Sequence, residues 1–542
     1  MLDSLNRLDR KLRQLEKWLP PKKQEPQARP EFPDFFRGAW EILEPHRTLI
    51  WNWHLELLCD CLTAVSQRQI RWLLINIGPR HLKSRIATMA WPCWDWLEFP
   101  WYRWLFLSYI SSLANDHSQD RRKIIQSDYY QTLSGGMTLS SSKNRISEFE
   151  NDSNGVMLAR GLDSGVTGSG GDRIVVDDPN DPEKMESPEI CDRTLRRFKD
   201  YTTTRQDDPQ NTSVVVIQQR TGDGDVSGYV LKELADDYYH LCLPTVAEKE
   251  QTIYFPFSDR MVTRKPGELL HPERFGQEEA DRALRVLGSR VFAARHQQDP
   301  APSAGGLFEI RWFDFYCYLP PDSHRQLISV DASFRDSPTS DRVAISAIAE
   351  NRKENENDYY LFDETCEQLS FTRTIEALQV MVERYPWAYT KLVETKANGD
   401  AICDTLEDNV PGIERCDPGR DSKQSRAAAI APIIERVGLL LPLAQWAIPL
   451  LPPGQLTISA GEWWILNPPP EQTVEHLPCD RKWQQHIKEW ISFPNGQYDD
   501  RIDSVGQAIR WCESKRKEEE GQHEEEDYSS IESFVARRRS YR

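Results

Sequence analysis

The chain has 542 residues, 39% of them hydrophobic and 28% charged, with 85 acidic against 67 basic side chains and a formal net charge of −18. That length exceeds one ordinary core and predicts about two to four domains. The acidic balance excludes general coating of nucleic acid, because phosphate neutralisation needs basic surface, but it leaves room for a local basic channel. The 11 cysteines are scattered. The nearest pair, Cys59 and Cys61, has no second pair to complete a zinc site, so most read as reduced core thiols of a cytosolic protein. No signal peptide precedes the fold and no apolar run reaches bilayer length, which predicts a soluble, intracellular chain with no membrane partner.

Leu2, Leu5, Leu8, Leu12, Leu15 and Leu19 recur at helical spacing and stop at Pro20-Pro21. They predict a helix that either packs on the next domain or docks a partner. Lys22 to Pro33 is a proline-rich, charged linker, and residues 1–37 together precede the first domain.

An α/β pattern occupies 38–305. A helical segment around 51–62 leads to a strand at 72–77, and Leu73 to Arg85 reads LLINIGPRHLKSR. Its apolar run enters Gly78-Pro79 and delivers Lys83-Ser84 to the head of a helix, the order of a nucleotide-binding P-loop. Gly78, Pro79, Arg80, His81 and Leu82 supply the loop; its amides hold phosphate, Lys83 reaches the terminal phosphates and Ser84 ligates Mg²⁺. The two glycine positions of G-x-x-x-x-G-K-[ST] hold Ile77 and Leu82, and a positive φ at Leu82 would be strained. The alternative for the stretch alone is a buried strand and a surface turn.

An aromatic strand, Trp104–Tyr109, comes next, then a Ser/Gly-rich stretch from Gly161 to Gly171. A further strand, Arg173–Val176, ends in Asp177-Asp178-Pro179. Taken alone, the two acids read as a helix N-cap. With the Lys-Ser loop upstream they read as the second half of a P-loop ATPase, Asp177 in the Mg²⁺ shell and Asp178 orienting or deprotonating the attacking water. A strand at Ser213–Ile217 places Gln219 and Arg220 at its carboxyl end, where open α/β sheets bind ligands, and either could sense the γ-phosphate; a capped loop is the alternative.

Residues 299–306 form a hinge and 306–320 a linker. In the second domain, 321–512, a strand Gln326–Val330 ends at Asp331. Strands Val343–Ile348 and Tyr359–Phe362, a helix near 372–384, and a strand Lys391–Val393 with Glu394 follow. Asp499, Asp500 and Asp503 stand at the head of a late helix, Asp499 and Asp503 sharing a face if the helix has begun. Three strands followed by helix-borne acid is the order of an RNase H-like nuclease, whose carboxylates converge on two Mg²⁺ or Mn²⁺ ions. Singly, each acid is an ordinary solvated loop residue. The stretch from Leu441 to Pro470 has no clear period. Residues 513–542 alternate charged blocks, predicting disorder, a solvated helix or a partner-binding tail.

The ordered motifs resemble those of the large terminase subunits of tailed bacteriophages over roughly residues 40 to 510. Gly78 to Ser84 stands where that family often has two prolines, Arg, His, Gly, Lys and Ser, with Leu82 in the glycine position. Ser108-Tyr109 with Leu113-Ala114 is similar to the next strand and turn. Arg173–Pro179 is similar to its Walker B segment, with Asp178 for the usual Glu, and Gln219-Arg220, Asp225 and Gly228 to its coupling motif. Pro266-Gly267-Glu268 through Phe275, Gln297–Pro300 and Gly305–Phe308 resemble the stretch leading out of the ATPase. In the second half, Val330–Ser333, Glu394–Gly399, Gly419–Arg426 with Lys423, and Phe493-Pro494 with Asp499, Asp500 and Asp503 resemble the nuclease motifs.

The resemblance implies a P-loop ATPase domain followed by an RNase H-like nuclease domain, using ATP and Mg²⁺, with Mn²⁺ an option in the nuclease. Asp178, Asp331, Glu394 and Asp500 would be catalytic. Ser84 and Asp177 would hold metal in one site, and Asp331, Glu394, Asp499, Asp500 and Asp503 in the other. It further implies a homo-oligomeric ring on the portal of a procapsid in the bacterial host cytoplasm, translocating double-stranded DNA and cutting concatemers. The amino-terminal helix would meet the small terminase subunit and the carboxyl tail the portal. A cellular or prophage helicase-nuclease and an inactive prophage scaffold are the rival readings.

Overall fold

A computed structural model describes residues 28–164, 168–182, 184–185, 187–300, 306–321, 323–332, 342–352, 357–395, 399–419 and 421–539, with side chains described no further than residue 519. The expected Leu2–Leu19 helix, most of the hinge at 299–306, part of the Gly161–Gly171 stretch, Ser333 and 396–398 lie outside the described residues. The chain divides into two compact units, residues up to 283 with 290–303, and residues 284–289 with 304 onward.

The first unit is built on β1 (Trp72–Ile77), β2 (Trp104–Ser108), β3 (Leu139–Arg145), β4 (Glu148–Asn151), β5 (Val156–Gly161), β6 (Arg173–Asp177), β7 (Ser213–Gln218) and β8 (Tyr239–Leu243), with a separate hairpin of β9 (Gln251–Phe255) and β10 (Arg260–Arg264). Their order is β3-β4-β5-β2-β6-β7-β1-β8. From β5 to β8 every neighbour is parallel, and β3 and β4 close one edge antiparallel. Helices cover both faces. Leu73, Ile75 and Ile77 of β1 pack with Val175, Val215 and the helices Phe32–Leu43 and Trp53–Ser66. Leu74 packs on the other side with Ile174, Val214, Phe198 and Tyr201. A strand buried on both faces reads as a near-continuous apolar run, with the few polar exceptions here at or near the strand ends; each such Leu or Ile contributes about 1.5–3 kcal/mol.

The second unit contains β11 (Phe313–Tyr316), β12 (Arg325–Ala332), β13 (Val343–Arg352), β14 (Asn357–Glu367), β15 (Thr390–Glu394), β16 (Ile413–Cys416), β17 (Leu439–Pro442) and β18 (Thr457–Ser459). The order is β16-β15-β12-β13-β14-β17-β11-β18. β12, β13 and β14 form an antiparallel meander, and β15 joins β12 in parallel. This is the RNase H-like order, as the other unit is the P-loop order. The final helix, Asp500–Arg539, lies on this sheet. Its Ser504 Oγ sits 2.9 Å from the Ser329 carbonyl and 2.9 Å from Ser346 Oγ, and Gln507 donates to Ser329 Oγ at 3.2 Å.

Two local expectations change. Asp177, Asp331 and Glu394 are members of their strands rather than residues just beyond them; Asp177 is in register with Ile217 and Asp331 with Ala344. Ladder bonds are made by the backbone, so a polar side chain at a strand's end does not terminate it. The patternless stretch 441–470 contributes β17, β18 and the helix Ala460–Leu466, strands of four and three residues that are too short to display a period. The charged tail through Arg539 is the distal part of the helix that begins at Asp500, the helical one of its expected readings. All 11 cysteines are free, six of them buried. Among the described residues no helix is long and apolar enough to cross a membrane.

Candidate nucleotide and metal sites

The loop after β1 turns sharply, with φ of 67° at Arg80 and 62° at Leu82, and passes into a π-helical turn, Arg85–Ala90. Such turns recur where a helix must re-aim its side chains. Lys83 Nζ lies 2.8 Å from the Asp178 carboxylate. Ser84 Oγ donates to Asp177 Oδ1 at 3.1 Å and Thr88 Oγ1 to Oδ2 at 2.7 Å. Burial raises the pKa of both aspartates, and Lys83 opposes that rise in each. Asp178 turns the chain at φ 43°. Its amide donates to the Ile217 carbonyl, its carbonyl accepts from Tyr109, and its carboxylate accepts from the Gln219 amide at 3.2 Å. The ends of β2, β6 and β7 thus fix one acid against the loop lysine and the other against the loop serine.

The remaining loop residues take different places. Gly78 leaves only 3.0 Å between an added Cβ and Thr245 Oγ1. Pro79 is half-buried beside it. The Arg80 carbonyl accepts from Arg274 at 3.0 Å. Leu82 is buried in the core. His81 is turned inward and buried, its ring edge-on to His54 at 5.7 Å and to Phe275 at 6.1 Å.

Arg220, expected near the γ-phosphate, instead points its Nε at both oxygens of Asp225 at 3.0 Å. Asp225 also accepts the amides of Thr221 and Gly228. A buried guanidinium committed to a carboxylate is a clamp on its own turn. Gln219 contributes its amide to Asp178.

Sequence reasoning missed the inner wall behind Asp177. His117 Nδ1 is 3.5 Å from Asp177 Oδ2, and burial lowers the His117 pKa to about 4. Arg121, fully buried, donates to the Thr88 carbonyl at 2.9 Å and lies over the Phe106 ring at 3.6 Å. His117 and Arg121 are spaced i,i+4, a signal present in the sequence, but a polar helical stripe reads as a solvated face.

In the second unit, parallel pairing sets Val330 beside Val393, bringing Asp331 and Glu394 to the same end of the sheet. The final helix adds Asp503. Asp331 is held well above the usual carboxylate range, first by burial and then by the charges of Asp503 and Glu394. Burial likewise pushes Asp500 up to about 6, against the pull of Arg342, whose Nε is 3.1 Å away. Asp503 faces Arg426 at 2.8 Å and Lys423 at 3.0 Å. Asp499 is at the rim, on Lys423 at 2.7 Å.

Asp331, Glu394 and Asp503 therefore converge, with Asp500 adjoining and Asp499 outermost. Mutually repelling buried carboxylates fit a hard divalent cation, which relieves their repulsion and suits oxygen ligands. Lys423 and Arg426, in the segment Gly419–Arg426, supply counter-charge. Behind them Arg501 bridges Glu364 at 3.1 Å and Glu489 at 2.7 Å, and His486 meets Glu364 at 2.7 Å, a buried network that seats the head of the helix. Gly399 has no room for a side chain: an added Cβ would lie 1.7 Å from the Glu394 carbonyl oxygen.

No family profile and no curated protein matches this sequence. Among solved structures, a large terminase from a thermophilic bacteriophage is similar at 11% identity and a TM-score of 0.37, over 71% of this chain and 87% of its own. The HK97 bacteriophage large terminase is similar at 8% identity and a TM-score of 0.34, over 75% and 89%. The large terminase nuclease from thermophilic phage G20c with bound zinc is similar at 14% identity and a TM-score of 0.24, over 38% and 97%.

Proposed function

We propose that the chain is a DNA-packaging motor of the large terminase kind, an ATPase in its first unit and a metal-dependent endonuclease in its second. The observation that carries the reading is the pairing of Lys83 with Asp178 and of Ser84 with Asp177 at the carboxyl ends of β1 and β6. A lysine, a hydroxyl and two acids in that arrangement suit a Mg²⁺-bound triphosphate.

Lys83 leaves Asp178 for the terminal phosphates. Asp178, released, accepts a hydrogen bond from the attacking water and orients it. Ser84 and Asp177 would hold Mg²⁺, which neutralises charge developing on the phosphates. In the second unit Asp331, Glu394, Asp503 and Asp500 would hold Mg²⁺ or Mn²⁺; paired ions supply an activated water and a stabilised leaving oxygen for phosphodiester cleavage. Lys423 and Arg426, paired with Asp503, keep the carboxylates oriented. Double-stranded DNA as substrate, a ring on the procapsid portal, a small terminase subunit and the host cytoplasm belong to this reading.

Two variants test it. Lys83→Ala abolishes ATP hydrolysis and leaves Mn²⁺-dependent nicking of plasmid DNA intact, and Asp331→Asn does the reverse. Equal loss of both activities in either folded variant contradicts two separate sites. ATP-dependent protection of DNA inside portal-bearing procapsids, without duplex unwinding in their absence, separates a packaging motor from a helicase.

A further inference from the structure

Three imidazoles in the first unit are used by neither site. His54 is at the start of the helix Trp53–Ser66, His81 is in the phosphate loop, and His271 follows the Leu270 backbone bond to Thr245. Asn52 binds the Leu270 carbonyl at 3.0 Å and Arg274 the Arg80 carbonyl at 3.0 Å, so the three segments are tied at neighbouring points.

The rings are 0%, 1% and 0% exposed, and those of His54 and His271 are 4.9 Å apart. One nitrogen from each lies within 4.8 Å of the other two. Among the described residues, and apart from the His81 backbone that stands close to the His54 ring, the six ring nitrogens have no hydrogen-bond partner. Buried polar atoms are nearly always paired, and three adjacent histidines left so poorly satisfied are not explained by packing.

Burial lowers the pKa of all three, and of His81 to about 3. The His81 backbone, which favours a charged His54, is outweighed. Neutral imidazole is the metal-binding form.

We infer that His54, His81 and His271 bind one transition-metal ion of the zinc class, cross-linking the phosphate loop to the helix beneath it and to the 270–275 segment. An all-nitrogen set favours zinc-class metals over Mg²⁺, Ca²⁺ and Mn²⁺. Zinc–nitrogen bonds of about 2.0–2.1 Å place the nitrogens about 3.4 Å apart, within reach of ring rotation from the observed spacing. Three protein ligands leave a fourth position for water. The ion would hold His81, and with it the two residues of positive φ at 80 and 82, in a loop that has no glycine at 77 or 82 to make that backbone easy. The site stands whether or not the loop hydrolyses ATP.

The test uses the full chain, stripped with chelator and titrated with Co²⁺ in excess Mg²⁺, which occupies the carboxylate sites. One equivalent of Co²⁺ should bind with visible absorption of a four- or five-coordinate nitrogen site and raise Tm by about 5 °C. His54→Gln and His271→Gln should lose both effects. His271→Cys should retain binding and gain a near-ultraviolet sulfur-to-cobalt band absent from the unsubstituted chain. No Co²⁺ uptake by the unsubstituted chain, uptake undiminished in the folded glutamine variants, or a His271→Cys spectrum without the new band overturns the assignment. Should the glutamine variants not fold, the cysteine spectrum decides.

Discussion

Leu82 sits where a phosphate loop usually has glycine, and its φ of 62° carries the strain expected of a bulky side chain. Relieving that strain is worth about 1–2 kcal/mol. The side chain, however, belongs to the main core cluster, and removing a buried leucine costs about 3–5 kcal/mol. Packing outweighs strain. Leu82→Gly should therefore lower the Tm of the first unit by several degrees, read by differential scanning calorimetry; a rise would mean that the backbone term is the larger. The same weighing applies at Asp225, fully buried and paired with Arg220. Asp225→Ala strands a buried guanidinium and removes the cap of the helix Val226–Glu233, which together cost about 4 kcal/mol or more. Asp225→Asn retains the acceptor for the turn amides and should fall between alanine and the unsubstituted chain in urea denaturation.

At the scale of elements, strand ends and helix heads make the second site. β12 and β15 present Asp331 and Glu394, and Gly399 lets the helix Gly399–Leu406 begin against the Glu394 carbonyl. Gly399→Ala should displace that strand end and abolish Mn²⁺-dependent cleavage while ATP hydrolysis continues, a pairing of assays that a general folding defect would not reproduce. β11 offers a pH test. Burial, then Glu462 and Asp358, raises the Asp314 pKa to about 6. The folded state consequently holds a proton that the unfolded chain, with a carboxyl pKa of about 3.9, has released. Stability contributed by that proton is full below about pH 4 and is lost as pH rises to about 6. Asp314→Asn should have the higher Tm at pH 7 and match the unsubstituted chain near pH 4.

Over the whole molecule, each unit has its own sheet with a hydrophobic cluster on either face. Neither set of clusters shares a residue with the other, so each unit can lose its packing without dismantling its neighbour's core. Calorimetry on the full chain should resolve two transitions. Leu82→Gly should move only one of them and Asp314→Asn only the other; a single transition shifted by both would indicate one cooperative unit. The net charge of −18 is offset locally at Asp499 and Asp503, where Lys423 and Arg426 pair with the carboxylates.

The sequence by itself determined the strands and what stands at their ends. Strands buried on both faces read as near-continuous apolar runs, and the Lys-Ser and Asp-Asp pairs are local in the chain, so β1, β6, β12 and β15 and their terminal polar residues were legible from neighbours alone. What only the tertiary structure decided was which of those residues meet. The commitment of Arg220 to Asp225, the inward turn of His81 and the wall of Thr88, His117 and Arg121 depend on side-chain directions that no sequence period records. The choice of Asp503 over Asp499 for the inner position depends on how a helix is rotated on its sheet. Most such contacts join residues tens of positions apart or more (Arg220 and Asp225, five apart, are the exception), and their energies arise from burial and exclusion of water, quantities that exist only once the chain has closed around them.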